Sequence, residues 1–441
     1  MKRQNSAKLL MYIEALFGGF YVAVTRGLFI PMLTYQNYPV NLLSYVSLIA
    51  ALLSILISYL IYAKPNVFTG NVKTKLLIVH ATERFFWMSL PFMISSPEIL
   101  SIMYALAQAI TIPVGILLNL ALFLSFKDDE LIDVNVVRSS IGSASSILGS
   151  LFIIYTTATV KPPESYYIAY IYGSLTGLIA SISLLFYPSN MLHSDSQQQF
   201  KKKTEEIEVR RVNIFILLTL ALAGANLIGL GWSPLLKGMN APLYLVTALS
   251  LAGSLGGIIG PYLWKGLKSY TYAMILNTLF TLLLFFTPWP LVHLGYSAIL
   301  SMTFVGFNFI ALSIYSKYIR SLGIVEASVL LTASNSVGLL MASITGLYIN
   351  NLLFLFLLAS IFKLSALIIS LLAIPESAIV PVETAYGYSR LIYSIGVMGY
   401  TFTMETSKRT IKLFIQSLAL AILITLLYFI YRVAIIIGLG G

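Results

Sequence analysis

Cysteine is absent from all 441 residues, which excludes disulfides, thiolate metal sites and iron–sulfur clusters. Histidine is nearly as scarce. His80, His193 and His293 fall on different segments, too few for a haem-ligating pair in each leaflet of a bilayer. Charged residues make up 10% of the chain, against about 25% in soluble domains, so a soluble multidomain protein is set aside. A glycine-rich loop of the phosphate-cradling type is also missing, so any transport runs on an ion or solute gradient or depends on partner subunits.

Apolar residues are what the chain has in excess, at 58% with a mean hydropathy of +0.89. Runs of about 20 residues, the length that crosses the hydrocarbon core of a bilayer, recur from residue 9 to residue 437. This is the pattern of a polytopic helical membrane protein. No small-residue cleavage site follows the first run, so it reads as a retained helix. The net charge of +11 is informative through its distribution and implies no nucleic-acid partner. With the N-terminus in the cytoplasm, twenty-one of the 27 Lys and Arg residues fall in or beside cytoplasmic segments, and only Lys161 and Lys237 fall outside. That asymmetry is the one the positive-inside rule describes.

The chain is divided by Tyr187 to Val212, a polar stretch carrying Lys201, Lys202, Lys203, Arg210 and Arg211. Six apolar spans precede it and six follow before Pro375. The halves read as parallel repeats: span 1 maps to span 7 at an offset near 203, and span 5 to span 11 at 191, where Gly142-Ser143-Ala144-Ser145 lies over Ala333-Ser334-Asn335-Ser336. The expected organisation is a six-helix bundle over 1–187, a basic cytoplasmic linker over 188–212 and a second bundle over 213–373. A cytoplasmic or interfacial segment follows over 374–412, then an extra transmembrane helix and tail over 413–441. Lys408, Arg409 and Lys412 anchor the start of that last helix inside, which puts the C-terminus outside.

The 6+6 plan, the basic central loop and the small-residue fifth helix after Arg138 (RSSIGSASSILGS) resemble the major facilitator superfamily over residues 1 to 373. The turn GPYLWKGLKSY resembles a degenerate form of that family's loop between helices 2 and 3. Its first-half counterpart, AKPNVFTGNVKTK, lacks the acidic residue and arginines of the signature. The resemblance implies an all-α fold of two pseudo-symmetric bundles and a secondary carrier of a small solute in the cell membrane, working by alternating access. It implies no cofactor and no enzymatic activity.

In the resembled family helices 1, 4, 7 and 10 line a central cavity, and here each carries polar residues at helical spacing. Span 1 offers Tyr21, Thr25 and Arg26; span 4 Tyr104, Gln108, Thr111 and Asn119; span 7 Thr219, Asn226 and Ser233; span 10 Ser297, Ser301 and Asn308. Such Ser and Thr residues also bond their own backbone, and Asn or Gln can simply bridge helices. An ionisable group at the centre of a membrane helix costs about 2.5–3.5 kcal/mol, so each needs a partner or a task. Glu14 on span 1 and the group His80, Glu83 and Arg84 on span 3 are the candidates for proton coupling or for a buried ion pair, with Glu14 expected to meet Arg84. Arg26, with no acidic neighbour on its own helix and no acid in spans 4, 7 or 10, reads as an anion site or an outward-reaching anchor. Lys363, on the helix that is peripheral in the resembled fold, reads as structural or lipid-directed.

Two other readings come from different classes. A receptor or structural subunit with a carrier-like fold fits the thin motif retention and the extra helix, which could also serve an oligomer. An intramembrane lipid-modifying enzyme would have to use Asp128, Asp129, Glu130 and Asp133, but the second aspartate-rich loop such a diphosphate site needs is missing.

Overall fold

The computed structural model describes residues 2–65, 71–126, 128–188, 205–264, 267–322 and 324–395. They form α1 (Lys2–Tyr35), α2 (Val40–Ala63), α3 (Val72–Ser89), α4 (Pro97–Ser125), α5 (Asp128–Thr159) and α6 (Glu164–Leu184), followed by α7 (Glu205–Gly238), α8 (Leu243–Leu263), α9 (Leu267–Leu283), α10 (Val292–Leu322), α11 (Ile324–Tyr348) and α12 (Leu352–Ala373). A further helix, α13, covers 382–395. Eleven of the first twelve are long and apolar enough to cross a membrane. The exception is α3, which is short and carries Lys73, Lys75, His80, Glu83 and Arg84 within its 18 residues.

Local chemistry repeats between the halves. Both α1 and α7 carry an internal proline, Pro31 and Pro234, and both end on an asparagine in the left-handed region, Asn37 (φ 63°) and Asn240 (φ 58°). The next helix then opens after Pro39 or Pro242. In each pair the residues stand 203 positions apart. The capping is also the same: the Tyr38 amide donates to the Leu33 carbonyl, and the Ala241 amide to the Leu236 carbonyl, each at 3.0 Å. This is the six-to-one bond of the Schellman motif, which needs positive φ at the residue before the donor; asparagine tolerates that conformation better than other side chains.

Packing repeats in the same way. Helix α1 lies against α5 and α6 as α7 lies against α11 and α12; α4 touches α2 and α3 as α10 touches α8 and α9; α3 meets α6 as α9 meets α12. The two most extensive contacts between the sets are α2 with α11 and α5 with α8, and a two-fold relation between the halves exchanges one for the other. The tight crossings depend on glycine. A Cβ on Gly149 would lie 2.8 Å from the Phe20 carbonyl oxygen, and one on Gly338 would lie 2.8 Å from the Ala223 amide nitrogen.

Buried apolar side chains gather in two tiers. One holds Met11, Leu76, Leu122, Leu131, Ile214 and Val329, near the ends where α1, α3, α5, α7 and α11 begin and α4 finishes. The other holds Leu28, Trp87, Leu100, Ile153, Leu230 and Ala342, at the opposite ends. Polar and charged residues occupy the layer between them.

Some boundaries differ from the sequence reading. Helix α7 begins at Glu205, so the end of the linker is helical, because Glu206 and Arg210 form an i, i+4 pair at 3.0 Å. Helix α13 docks on that turn. Tyr386 donates to Glu206 at 2.9 Å, the Arg210 guanidinium binds Tyr386 and Glu376, and Asn213 donates to the Ser389 carbonyl at 3.0 Å. The expected transmembrane helix over 413–441 and most of the basic linker lie outside the described residues.

Candidate functional site

Helix α3 places its charges in the polar layer because His80, Glu83 and Arg84 fall on one face, turned toward α1 and α6. Glu83, fully buried, accepts from the Arg26 guanidinium on α1, from Arg84 beside it, and from the Tyr21 hydroxyl at 3.1 Å. Arg84 also donates to the His80 carbonyl at 2.9 Å and lies over the Tyr21 ring, with Cζ 4.7 Å from its centroid. Arg26 lies over Trp87 at 5.5 Å. The expected pairing of Glu14 with Arg84 is not what forms. Glu14 accepts from Arg138 of α5, at 2.7 Å from Nη2 and 3.2 Å from Nε, and lies 3.5 Å from His80 Nε2. Nor is Arg26 without an acid, since Glu83 reaches it from the neighbouring helix.

His80 sits between the two carboxylate groups. Its Nε2 lies 2.8 Å from Arg84 Nη2, and its Nδ1 lies 2.7 Å from Ser181 Oγ on α6. A guanidinium can only donate, so Nε2 accepts and the ring proton is on Nδ1, facing Ser181. A second proton on Nε2 would end the bond from Arg84 and offer a donor to Glu14 instead. Arg84 and Glu14 therefore share one ring nitrogen that serves only one of them at a time.

Two cavities adjoin the cluster. The smaller, about 360 Å³, is lined by Glu14, Arg26, Glu83, Arg84, Thr111 and Arg138 among others. The larger, about 600 Å³, lies where α1 and α5 meet α7, α8, α10 and α12; its lining includes Trp232, Ser297, Ser301, Asn308 and Lys363. Val22, Ser139, Ser143 and Ser146 border both, so the two lie side by side, and together they are called the chamber.

Of the residues read from the sequence as cavity-lining, Arg26, Thr111, Ser297, Ser301 and Asn308 line this chamber, and the others line neither cavity. Thr25 bonds the Tyr21 carbonyl at 2.8 Å and, like Tyr21, is buried. Tyr104 stacks on Phe29 with centroids 4.0 Å apart and accepts from Gln108 at 2.8 Å. Asn119 is half-buried on α4. On α7 the chamber takes Ala225, Ile228, Gly229 and Trp232, a face one position away from Thr219, Asn226 and Ser233. Thr219 and Ser233 are buried elsewhere, and Asn226 donates to Asn335 at 3.4 Å.

Sequence reasoning missed two residues. Arg138 was counted as a cytoplasmic charge, yet it lies on the same helical face as Gly142 and Gly149, which pack on α1. Lys363 was assigned to the periphery, yet it is 2% exposed and faces the chamber. Ala359, Ser360, Ala366 and Ser370 share its buried face. That stripe of small residues was the available signal. The acidic turn at Glu130 binds Lys8 at 2.8 Å and Gln4 at 2.6 Å, and among the described residues no acidic or histidine cluster fits a metal.

No protein-family model and no curated protein sequence matches the chain. Solved structures do. An alanine variant of the nucleoside transporter NupG superposes with a TM-score of 0.60 at 14% identity, covering 83% of this chain and 98% of that one. A bacterial homologue of the iron transporter ferroportin, in an outward-facing state with soaked iron, gives 0.55 at 14% identity over 84% and 98%. Two matched sets of six helices, joined by α2 with α11 and α5 with α8, and these superpositions together show that the chain has the fold of the major facilitator superfamily.

Proposed function

We propose that this protein is a secondary carrier of a small solute, driven by protons and working by alternating access around the chamber between its two halves. It belongs to the cell membrane with its N-terminus in the cytoplasm and its C-terminus outside. The observation that carries this reading is the cluster of Glu14, His80, Glu83, Arg26, Arg84 and Arg138, in which Glu14, His80, Glu83 and Arg84 are buried and all but His80 line the smaller cavity. Charges there are costly, and a purely structural pair would not need a chamber wall. The shared Nε2 of His80 supplies the coupling element. Protonation moves its partner from Arg84 to Glu14, changing how α3 is tied to α1.

Alternating access requires a closure that can open. At the α1–α2 and α7–α8 corners, Lys237 Nζ donates to the Thr34 carbonyl and to Asn37 Oδ1 at 2.8 Å each, and the Tyr35 hydroxyl donates to the Ala241 carbonyl. These bonds join the halves at one end of the chamber and have to break when that end opens.

The test is uptake into proteoliposomes with an imposed proton gradient, using nucleosides, sugars, amino acids and organic anions. The expected result is accumulation of one class above its equilibrium level, with His80→Ala and Glu83→Gln retaining solute exchange but losing gradient-driven accumulation. Flux that ignores the gradient for every solute, or variants with unaltered coupling, would overturn the reading.

A further inference from the structure

We propose that the larger cavity is an anion site, anchored by the Lys363 ammonium, and that its occupant is a small solute carrying a carboxylate or phosphate group. The proposal rests on the carrier reading and gives it a substrate class. Lys363 lies mid-way along α12, 2% exposed, with its chain seated against α7 where Gly224 leaves room: a Cβ there would come within 2.8 Å of Lys363 Cγ. Its Nζ donates to Thr281 Oγ1 at 2.9 Å, and the Thr281 hydroxyl is itself committed to the Asn277 carbonyl at 2.8 Å. That bond uses one of the three N–H donors. The Nζ also lies 6.0 Å from the centroid of the Phe304 ring. No carboxylate of the described residues lies within ion-pair distance of it.

An amine buried without a counter-ion keeps its proton only at a cost, and a bound anion is what would offset that cost. The cavity is built to let a solute do so. Among the described residues, the Ser301 hydroxyl and the Asn308 amide line it with no protein hydrogen bond, and no acid lines the larger cavity. Charge over the whole chamber points the same way. Arg26, Arg84, Arg138 and Lys363 stand against Glu14 and Glu83, an excess of two positive charges with His80 neutral. Walls of one net sign concentrate the opposite ion and repel a metal cation. The volume, about 600 Å³, lies within the range of small-molecule sites, about 300–1,000 Å³.

The experiment is ligand-dependent thermal stability of the purified full chain, with inorganic phosphate, lactate and succinate set against uridine and glucose. It compares wild type, Lys363→Gln, Lys363→Arg and the Ser301→Ala/Asn308→Ala pair. At least one anion is expected to stabilise the wild type, binding tenfold or more weakly to Lys363→Gln, close to normally to Lys363→Arg and several-fold more weakly to the pair. The pair reads out the site even if Lys363→Gln does not fold. Anion binding that is equal in all four proteins, or stabilisation by uridine or glucose alone, overturns the anion site. In the latter case proton-driven uptake of the neutral solute would leave the carrier reading standing.

Discussion

Glu83→Gln removes the one negative charge that faces two guanidinium groups, and the two arginines differ in what they can do about it. Arg84 is 3% exposed and retains only the His80 carbonyl and ring nitrogen, so its charge is stranded. Removing one member of a buried ion pair typically costs about 3–5 kcal/mol, mostly the penalty of leaving the other charge uncompensated. Arg26, with 34% of its side chain exposed, can turn into the smaller cavity. Arg26→Gln leaves Glu83 bound to Arg84 and Tyr21, so it should cost less, about 1.5–3 kcal/mol for one charged hydrogen bond. The double variant Glu83→Gln/Arg84→Gln restores neutrality and should melt above Glu83→Gln alone, a coupling of about 0.5–3 kcal/mol. The assay is apparent melting in one detergent at one pH. The predicted order is wild type highest, Arg26→Gln and the double variant below it, and Glu83→Gln lowest. A Glu83→Gln protein that melts with the wild type would refute the claim that this carboxylate is the hub of the cluster.

Two further predictions concern the frame around the site. Asn37→Val and Asn240→Val each put a β-branched residue at positive φ and should cost about 1–2 kcal/mol, whereas glycine at either position should be neutral or stabilising; equal stability of the valine and glycine forms would contradict the capping assignment. Arg210→Gln cuts the bonds to Glu376 and Tyr386, so amides in 382–395 should exchange faster while those of α8 stay unchanged, and unaltered exchange in α13 would show that Arg210 does not hold it.

The architecture was legible because it is written in period and symmetry. Apolar runs of membrane length gave the helices, and the 203-residue offset that related span 1 to span 7 reappears in Pro31 and Pro234, Asn37 and Asn240. The site was legible only in part, because sequence gives a helix's polar positions but not its rotation against its neighbours. On α10 the stripe of Ser297, Ser301 and Asn308 does face the chamber. On α7 a seven-residue spacing picked Thr219, Asn226 and Ser233, while packing against α11 and α12 turned the adjacent face inward. Ion pairs were hardest to read. Whether Glu14 meets Arg84 or Arg138, and whether Arg26 has a partner, depends on which helices touch α1, and that is a property of tertiary packing.

The chain's lack of cysteine allows the claim of alternating access to be tested before any solute is known. Gly229 lines the larger cavity with no atom within 4 Å of a Cβ placed there, so Gly229→Cys should fold normally and present a single thiol. Membrane-impermeant maleimide would be applied to one side or the other of sealed, oriented vesicles, with and without a proton gradient. The account predicts labelling from both sides in turn, with the gradient shifting the ratio of the two rates and Glu83→Gln abolishing that shift. Labelling from one side only, at a rate the gradient does not alter, would contradict it.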